Sequence, residues 1–292
     1  MINIKDIKER LAVNPEPLEV KELRNKLLTA FKDLEFIEDG HQYILHNQEE
    51  GDITGIPSAS AIIHRFVPES DWDEIAERYA LKHDMETDTV KRLWHENNIK
   101  STNNGTSTHL YGENLHRLIM EGNEDSISPI LKQQYEDGYL IPYSPKQDAI
   151  EKYWEDMFKI NELYPLLPEC KMYMPKNNIF GINELFCGTG DTLFAYKQNG
   201  EWCLILADYK SNKSLINDFN RQKKIRMLAP FDNMVDEPLS HYTIQLTLYS
   251  LMLENLGIKV INRRLIWLKN DGEYEKITLP YIKELVIDSF KK

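Results

Sequence analysis

The stretch CGTGDTLFAYKQNGEWCLILADYKSNK, Cys187 to Lys213, decides the fold. Two β-strand patterns flank Asn199-Gly200, a dipeptide favoured in two-residue hairpin turns. Each strand carries an acid: Asp191 stands before the first and Asp208 closes the second, with Lys210 two residues on. Side chains alternate along a strand, so Asp208 and Lys210 share a face with Leu204 and Leu206. Cys203, Ile205 and Ala207 make the opposite face apolar too. A strand apolar on both sides is predicted to lie in the middle of a sheet, and its end is where a site is built. Pairing through the turn would bring Asp191 close to Asp208. Two carboxylates converging there repel unless they are protonated or bridged by a cation.

Working outward, "LPECKMYMP", "RRLIWLK" and "EYEKITL" also read as strands. One long apolar helix, "PLSHYTIQLTLYSLMLENLG", interrupts them, and a last helix is expected from about Tyr281. Upstream the pattern is helical. Residues 17–33 place Val20, Leu23, Leu27, Leu28 and Phe31 on one stripe behind Pro17. "FIEDGHQYILHNQEEGDI" has the alternation of a hairpin, and "PSASAIIHRF" opens a helix capped by Ser58 or Ser60. Residues 71–97 look helical and strongly charged. "NNGTST" predicts a loop, followed by a helix from about Thr106 to Glu121 closed by Gly122. A polar connector over 123–146 should lead to a helix ending near Tyr164. The fold class is therefore α/β: a helical first half wrapped onto a mixed β-sheet as one continuous unit.

Hydrophobic residues make up 41% and charged residues 28% of the 292, ordinary for a soluble globular chain. No apolar run approaches the ~20 residues that span a membrane. The N-terminal residues lack a signal-peptide core and include acids, so a cytoplasmic protein without membrane contact is expected. Cys170, Cys187 and Cys203 are scattered, which suits free thiols better than disulfides or a zinc site. Net charge is −12, against a nucleic-acid partner at first sight. Screening beyond ~10 Å makes local charge decisive, however. From Tyr209 to Arg226 the chain carries Lys210, Lys213, Arg221, Lys223, Lys224 and Arg226 against Asp218 alone.

Further chemistry-bearing residues sit on helices. His109, Glu113 and His116 share a stripe, while Tyr111, Leu115, Leu118 and Ile119 make the apolar one. Gln245 and Tyr249 share a stripe within the long apolar helix, where packing is the default role of a buried Gln. A lone helical His is more often surface or core than ligand. The acid-x-Lys triplet occurs four times in the chain, so alone it carries little. Only Asp208-Tyr209-Lys210 follows both a buried-looking strand and an upstream "GTGD".

In order, "GTSTH", "GTGD", "ADYKS" and "QLTLY" resemble the motif series of the PD-(D/E)xK nuclease superfamily, RecB-like branch. Within it, the chain is similar to phage nucleases of the mitochondrial genome maintenance exonuclease type. "IPSASAIIHRF" and the long apolar helix share that look, and the resemblance runs over about residues 55–270. It implies a restriction-endonuclease-like mixed sheet flanked by helices. The divisions would be an N-terminal helix and hairpin over 1–55, a helical region contributing His109 over 56–165, and the nuclease core over 166–292.

The resemblance also implies roles. Asp191 and Asp208 would ligate Mg2+ or Mn2+, with the Tyr209 carbonyl and His109 as further ligands and His116 or Glu113 as alternatives. Lys210 would position or activate the attacking water. Glu169 or Glu184 would add an acid, with Glu169 preferred. Gln245 and Tyr249 would contact DNA and brace the site, and Lys213, Arg221, Lys223 and Lys224 would bind the backbone. Gly190 stands where relatives often carry Pro. Some relatives hold an iron–sulfur cluster through four cysteines, which three cannot supply, so no cluster is expected. The implied function is a DNA exonuclease on single-stranded ends. The rivals are a structure-specific endonuclease, a non-catalytic DNA-binding subunit, or strand-end acids that merely pair with the 221–226 cations.

Overall fold

The computed structural model describes residues 9, 13–37, 40, 42–49, 51–121 and 144–291. Asn199 and Gly200 both adopt positive φ (54° and 85°) and join strands β4 (Phe186–Gln198) and β5 (Glu201–Lys210). β3 (Leu163–Met174) pairs antiparallel with β4, whereas β6 (Val260–Leu268) runs parallel to β5. β7 (Tyr274–Thr278) completes the sheet antiparallel to β6. The order β3-β4-β5-β6-β7 puts β5 in the centre, as its two apolar faces require. A separate two-stranded sheet is formed by β1 (Leu34–Ile37) and β2 (Gln42–Leu45), overlapping the expected hairpin but beginning two residues before it.

The helices are α1 (Leu18–Ala30), α2 (Ala59–His64), α3 (Trp72–His83), α4 (Thr87–Glu121), α5 (Pro145–Met157), α6 (Asp218–Lys223), α7 (Pro238–Glu254) and α8 (Lys283–Ser289). On one face of the sheet, Leu204 and Leu206 join a core with Ile244, Leu248 and Leu251 of α7, and with residues of α1, α2 and α8. On the other, Ile205, Ala207 and Tyr209 meet Leu115 and Ile119 of α4 and Tyr153 and Trp154 of α5. α7 is apolar all round because the sheet takes one side of it while α2 and α8 take others. Among the described residues no helix is long and apolar enough to cross a membrane.

Four expectations need correction. The predicted loop at "NNGTST" is helix. The Thr106, Ser107 and Thr108 hydroxyls donate to the carbonyls of Thr102, Asn103 and Asn104 at 3.1, 2.9 and 2.7 Å, so these polar side chains are satisfied without breaking the turn. The charged stretch over 71–97 is split, because Asp84 caps α3 in the left-handed conformation (φ 52°). The helix expected to reach Tyr164 stops at Met157, and Leu163 and Tyr164 instead pair with Tyr196 and Ala195. Gly122 and the connector up to residue 143 lie outside the described residues. Ser58, not Ser60, caps α2, its Oγ accepting the Ala61 N–H at 3.2 Å. The stripe of α1 is narrower than expected: Val20 and Leu27 are fully buried while Leu28 is exposed.

Candidate metal centre

The site begins where two strands separate. The β4–β5 ladder ends at Thr192–Ala207, yet β4 runs back to Phe186 beside β3 and β5 runs on to Lys210 beside β6. Tyr209 thereby loses its β4 partner, and Asp191 Oδ2 accepts its N–H at 2.6 Å instead. The N–H and C=O of one strand residue point to the same side, so the Tyr209 carbonyl faces this gap as well.

Into the gap α4 projects His109, whose Nδ1 lies 3.2 Å from Asp191 Oδ2. The approach of α4 depends on Gly112, where a Cβ would come within 2.7 Å of the Tyr209 ring. Glu169 enters from β3 at left-handed φ (42°), between the Pro168–Thr192 and Cys170–Gly190 pairs. A non-glycine residue there is strained, a cost found where a side chain must be aimed. His109, Glu169 and Asp191 each offer a ligand atom, and these atoms lie within 4.8 Å of one another.

The electrostatics are those of crowded anions. Burial and then the Asp191 charge push the Glu169 carboxyl up to about 8. Burial opposes the His109 imidazolium, but the Asp191 carboxylate overrides it and raises the ring to about 9. For Asp191, burial is outweighed by His109, Lys210 and the Tyr209 amide, so its pKa is lowered. Asp208, 1% exposed, is raised to about 6 by burial and by Asp191. Its Oδ2 stands 2.5 Å from Lys210 Nζ in a buried ion pair. Lys210 is raised by Asp208 and Asp191 against the cost of its burial, and its ammonium also lies 4.5 Å from the centre of the Tyr242 ring.

The donor set fits a divalent ion. At a metal–oxygen distance of ~2.1 Å, opposed ligands stand ~4.2 Å apart, so the three atoms need only a small contraction. A cation would also relieve the repulsion that keeps Glu169 protonated. One imidazole with carboxylates suits Mn2+ as well as Mg2+.

No family model matches the chain, and no curated protein does.

The expected residues are distributed as follows. His109, Glu169 and Asp191 converge. Asp208 adjoins them electrostatically without joining the three converging donors, and its Oδ2 is paired with Lys210. Glu184 is elsewhere, its two oxygens taken by Arg65 at 2.6 and 2.9 Å. The alternatives on α4 do not join the converging group: Glu113 pairs with Arg117 at 2.6 Å while its charge still raises Glu169, and His116 is 1% exposed in the aromatic core. Burial holds the His116 ring down to about 3, and its Nδ1 lies 2.9 Å from Thr192 Oγ1 beside Asp191.

Gln245 Nε2 donates to Tyr249 Oη at 3.1 Å, while Gln245 Oε1 is buried without a partner among the described residues. Tyr249 lies over the "GTGD" segment so closely that a Cβ on Gly188 would be 2.3 Å from its ring. Lys213, Lys223 and Lys224 are exposed. Arg221 instead forks onto the buried Glu237, with both hydrogen bonds at 2.7 Å, so its guanidinium is already committed. The strand-end acids do not pair with the 221–226 cations; their partners are His109 and Lys210.

Two residues escaped the sequence reading. Tyr43 Oη lies 2.9 Å from Thr189 Oγ1, bringing the N-terminal hairpin onto the motif strand. Tyr242 lies under Lys210, and its Oη donates to Asn212 Oδ1 at 2.7 Å. Tyr242, Gln245 and Tyr249 follow i, i+3, i+7, a polar stripe that could have exposed Tyr242.

Proposed function

We propose that the protein is a divalent-metal-dependent nuclease that hydrolyses DNA phosphodiesters from single-stranded ends. The observation carrying this reading is the convergence of His109, Glu169 and Asp191 beside the Asp208–Lys210 ion pair, in the gap between two central strands. Mg2+ or Mn2+ in such a site supplies a Lewis acid for the scissile phosphate. Glu169, Asp191 and His109 would hold the ion, with the Tyr209 carbonyl directed to the same gap. Lys210, kept protonated by its neighbouring acids, stands ready to neutralise charge developing on the phosphate, and Asp208 and Tyr242 fix its position. Its protonation favours an electrostatic role over that of a base. The three cysteines are buried free thiols, in keeping with action in the reducing cytoplasm.

End-labelled single- and double-stranded DNA incubated with Mg2+, Mn2+ or chelator tests the reading. A ladder of products growing from one end is expected with metal, absent with chelator and absent in Asp191→Ala. Internal cuts alone would make the protein an endonuclease. Metal-independent binding with no cutting would make it a DNA-binding subunit.

A further inference from the structure

We infer that the groove between α3 and the α6–α7 corner is the track for a single nucleic-acid strand, its bases stacking on Trp72 and Phe219. The inference rests on the nuclease reading and extends it to a surface away from the metal centre. α3 packs with the start of α4 around Ala76, Ala80 and Val90, a small cluster separate from the two cores on the sheet. Between α3 and the α6–α7 corner lies a cleft of about 1130 Å³. Trp72 and Tyr79 line one wall, seven residues apart and so on one helix face. Phe219 lines the other. They are 67%, 42% and 60% exposed. The Tyr79 ring already stacks on His83 with centroids 4.2 Å apart and meets Trp94 at 5.5 Å, so the open stacking surface is chiefly that of Trp72 and Phe219.

The charges lining the groove select the occupant. Its acids are engaged: Asp236 with His241 at 2.8 Å, Glu237 with Arg221, and Asp71 with the amides of Asp73 and Glu74. Glu74 lies 3.8 Å from Arg78. Lys82 and Lys223, one from each wall, have no acidic partner among the described residues. Aromatic faces flanked by uncommitted cations match bases on a phosphate backbone. A duplex keeps its base faces stacked internally, so the groove suits one strand.

The groove and the metal centre share α7, although Tyr249 itself is buried (4% exposed) between them. His241 lines the groove, and Gln245 and Tyr249 follow on successive turns of α7. Tyr249 then covers Gly188, three residues before Asp191.

The test is fluorescence anisotropy of a labelled short oligothymidylate with the full-length protein in chelator, where cutting is stopped. Trp72→Ala and Phe219→Ala should each bind roughly ten-fold more weakly. Trp72→Phe should retain most of the affinity, and Leu81→Ala, on an exposed residue outside the groove, all of it. Lys223→Glu should flatten the log–log salt dependence by about one unit. Unchanged binding in both alanine variants overturns the groove assignment, and so does Trp72→Phe binding as weakly as Trp72→Ala. If the wild type cuts DNA but the alanine variants bind normally, only the groove assignment falls. If the wild type neither binds nor cuts DNA, the nuclease reading fails first.

Discussion

His109 and Glu169 both carry protons near neutrality that a divalent ion must displace. With the imidazole raised to about 9 and the carboxyl to about 8, metal entry at neutral pH should release about two protons. Affinity for Mn2+ should therefore climb with pH until about 9. Calorimetry in buffers of different ionisation heat measures the release, and none at neutral pH would contradict the assigned ligands. The same shifts set the stability of the metal-free fold. His109 is raised from its usual 6.5, so its contribution is complete below that value and lost as pH rises to about 9. Glu169, raised from 4.5, prefers its neutral form in the fold, so stability also falls as pH passes from 4.5 to about 8. Asp191, with its pKa lowered, works the other way: its contribution is present above 3.8 and lost in acid. His116, held down to about 3 from 6.5, works against this trend below pH 6.5. Stability in chelator should therefore fall clearly from about pH 6.5 to 9, and Mn2+ should reverse that fall.

Two substitutions separate roles at the same scale. An imidazole ligand favours manganese, so the wild type should be at least as active with Mn2+ as with Mg2+. His109→Ala should lose activity with both ions; full Mg2+ activity in that variant would remove His109 from the ligand set. Lys210→Ala should keep DNA affinity within roughly an order of magnitude while cleavage collapses. Weakened binding with intact turnover would show that Lys210 only holds substrate.

Among the elements, the separation of β4 from β5 and the seating of α4 and α7 upon it give the site its shape. Glycines permit both contacts: Gly112 lets α4 reach Tyr209, and Gly188 lets Tyr249 lie on β4. Gly188→Ala forces a methyl into the Tyr249 ring and should destabilise the fold by about 1–3 kcal/mol. Urea denaturation measures the loss, and wild-type stability would mean that the ring moves freely. In the same assay Arg221→Ala should cost more than Lys223→Ala, because it strands the buried Glu237 whereas Lys223 is exposed.

Across the whole molecule, the sheet was legible because its strands are strongly patterned. Asn199-Gly200 located the hairpin, and the two apolar faces of β5 gave its central place. The path of α4 was not legible, since Ser, Thr, Asn and Gly over 101–107 are loop-formers unless their hydroxyls bond back along the helix. Within the site, Asp208 and Lys210 were visible from strand alternation and Asp191 from pairing through the hairpin, although Asp191 was expected before its strand and lies inside β4. The engagement of Glu184 was not legible, because its partner Arg65 lies 119 residues away in sequence. The engagement of Asp208 by Lys210 was equally hidden, because same-face placement does not say which charge a carboxylate will meet.

The central claim is that His109, Glu169 and Asp191 grip one divalent ion, and electron paramagnetic resonance of added Mn2+ tests it most directly. The account predicts one bound ion per chain with a nitrogen coupling that His109→Ala abolishes, and binding lost in Asp191→Ala. Free aqueous Mn2+ in the presence of the wild type, or a bound ion whose spectrum ignores both substitutions, would contradict it.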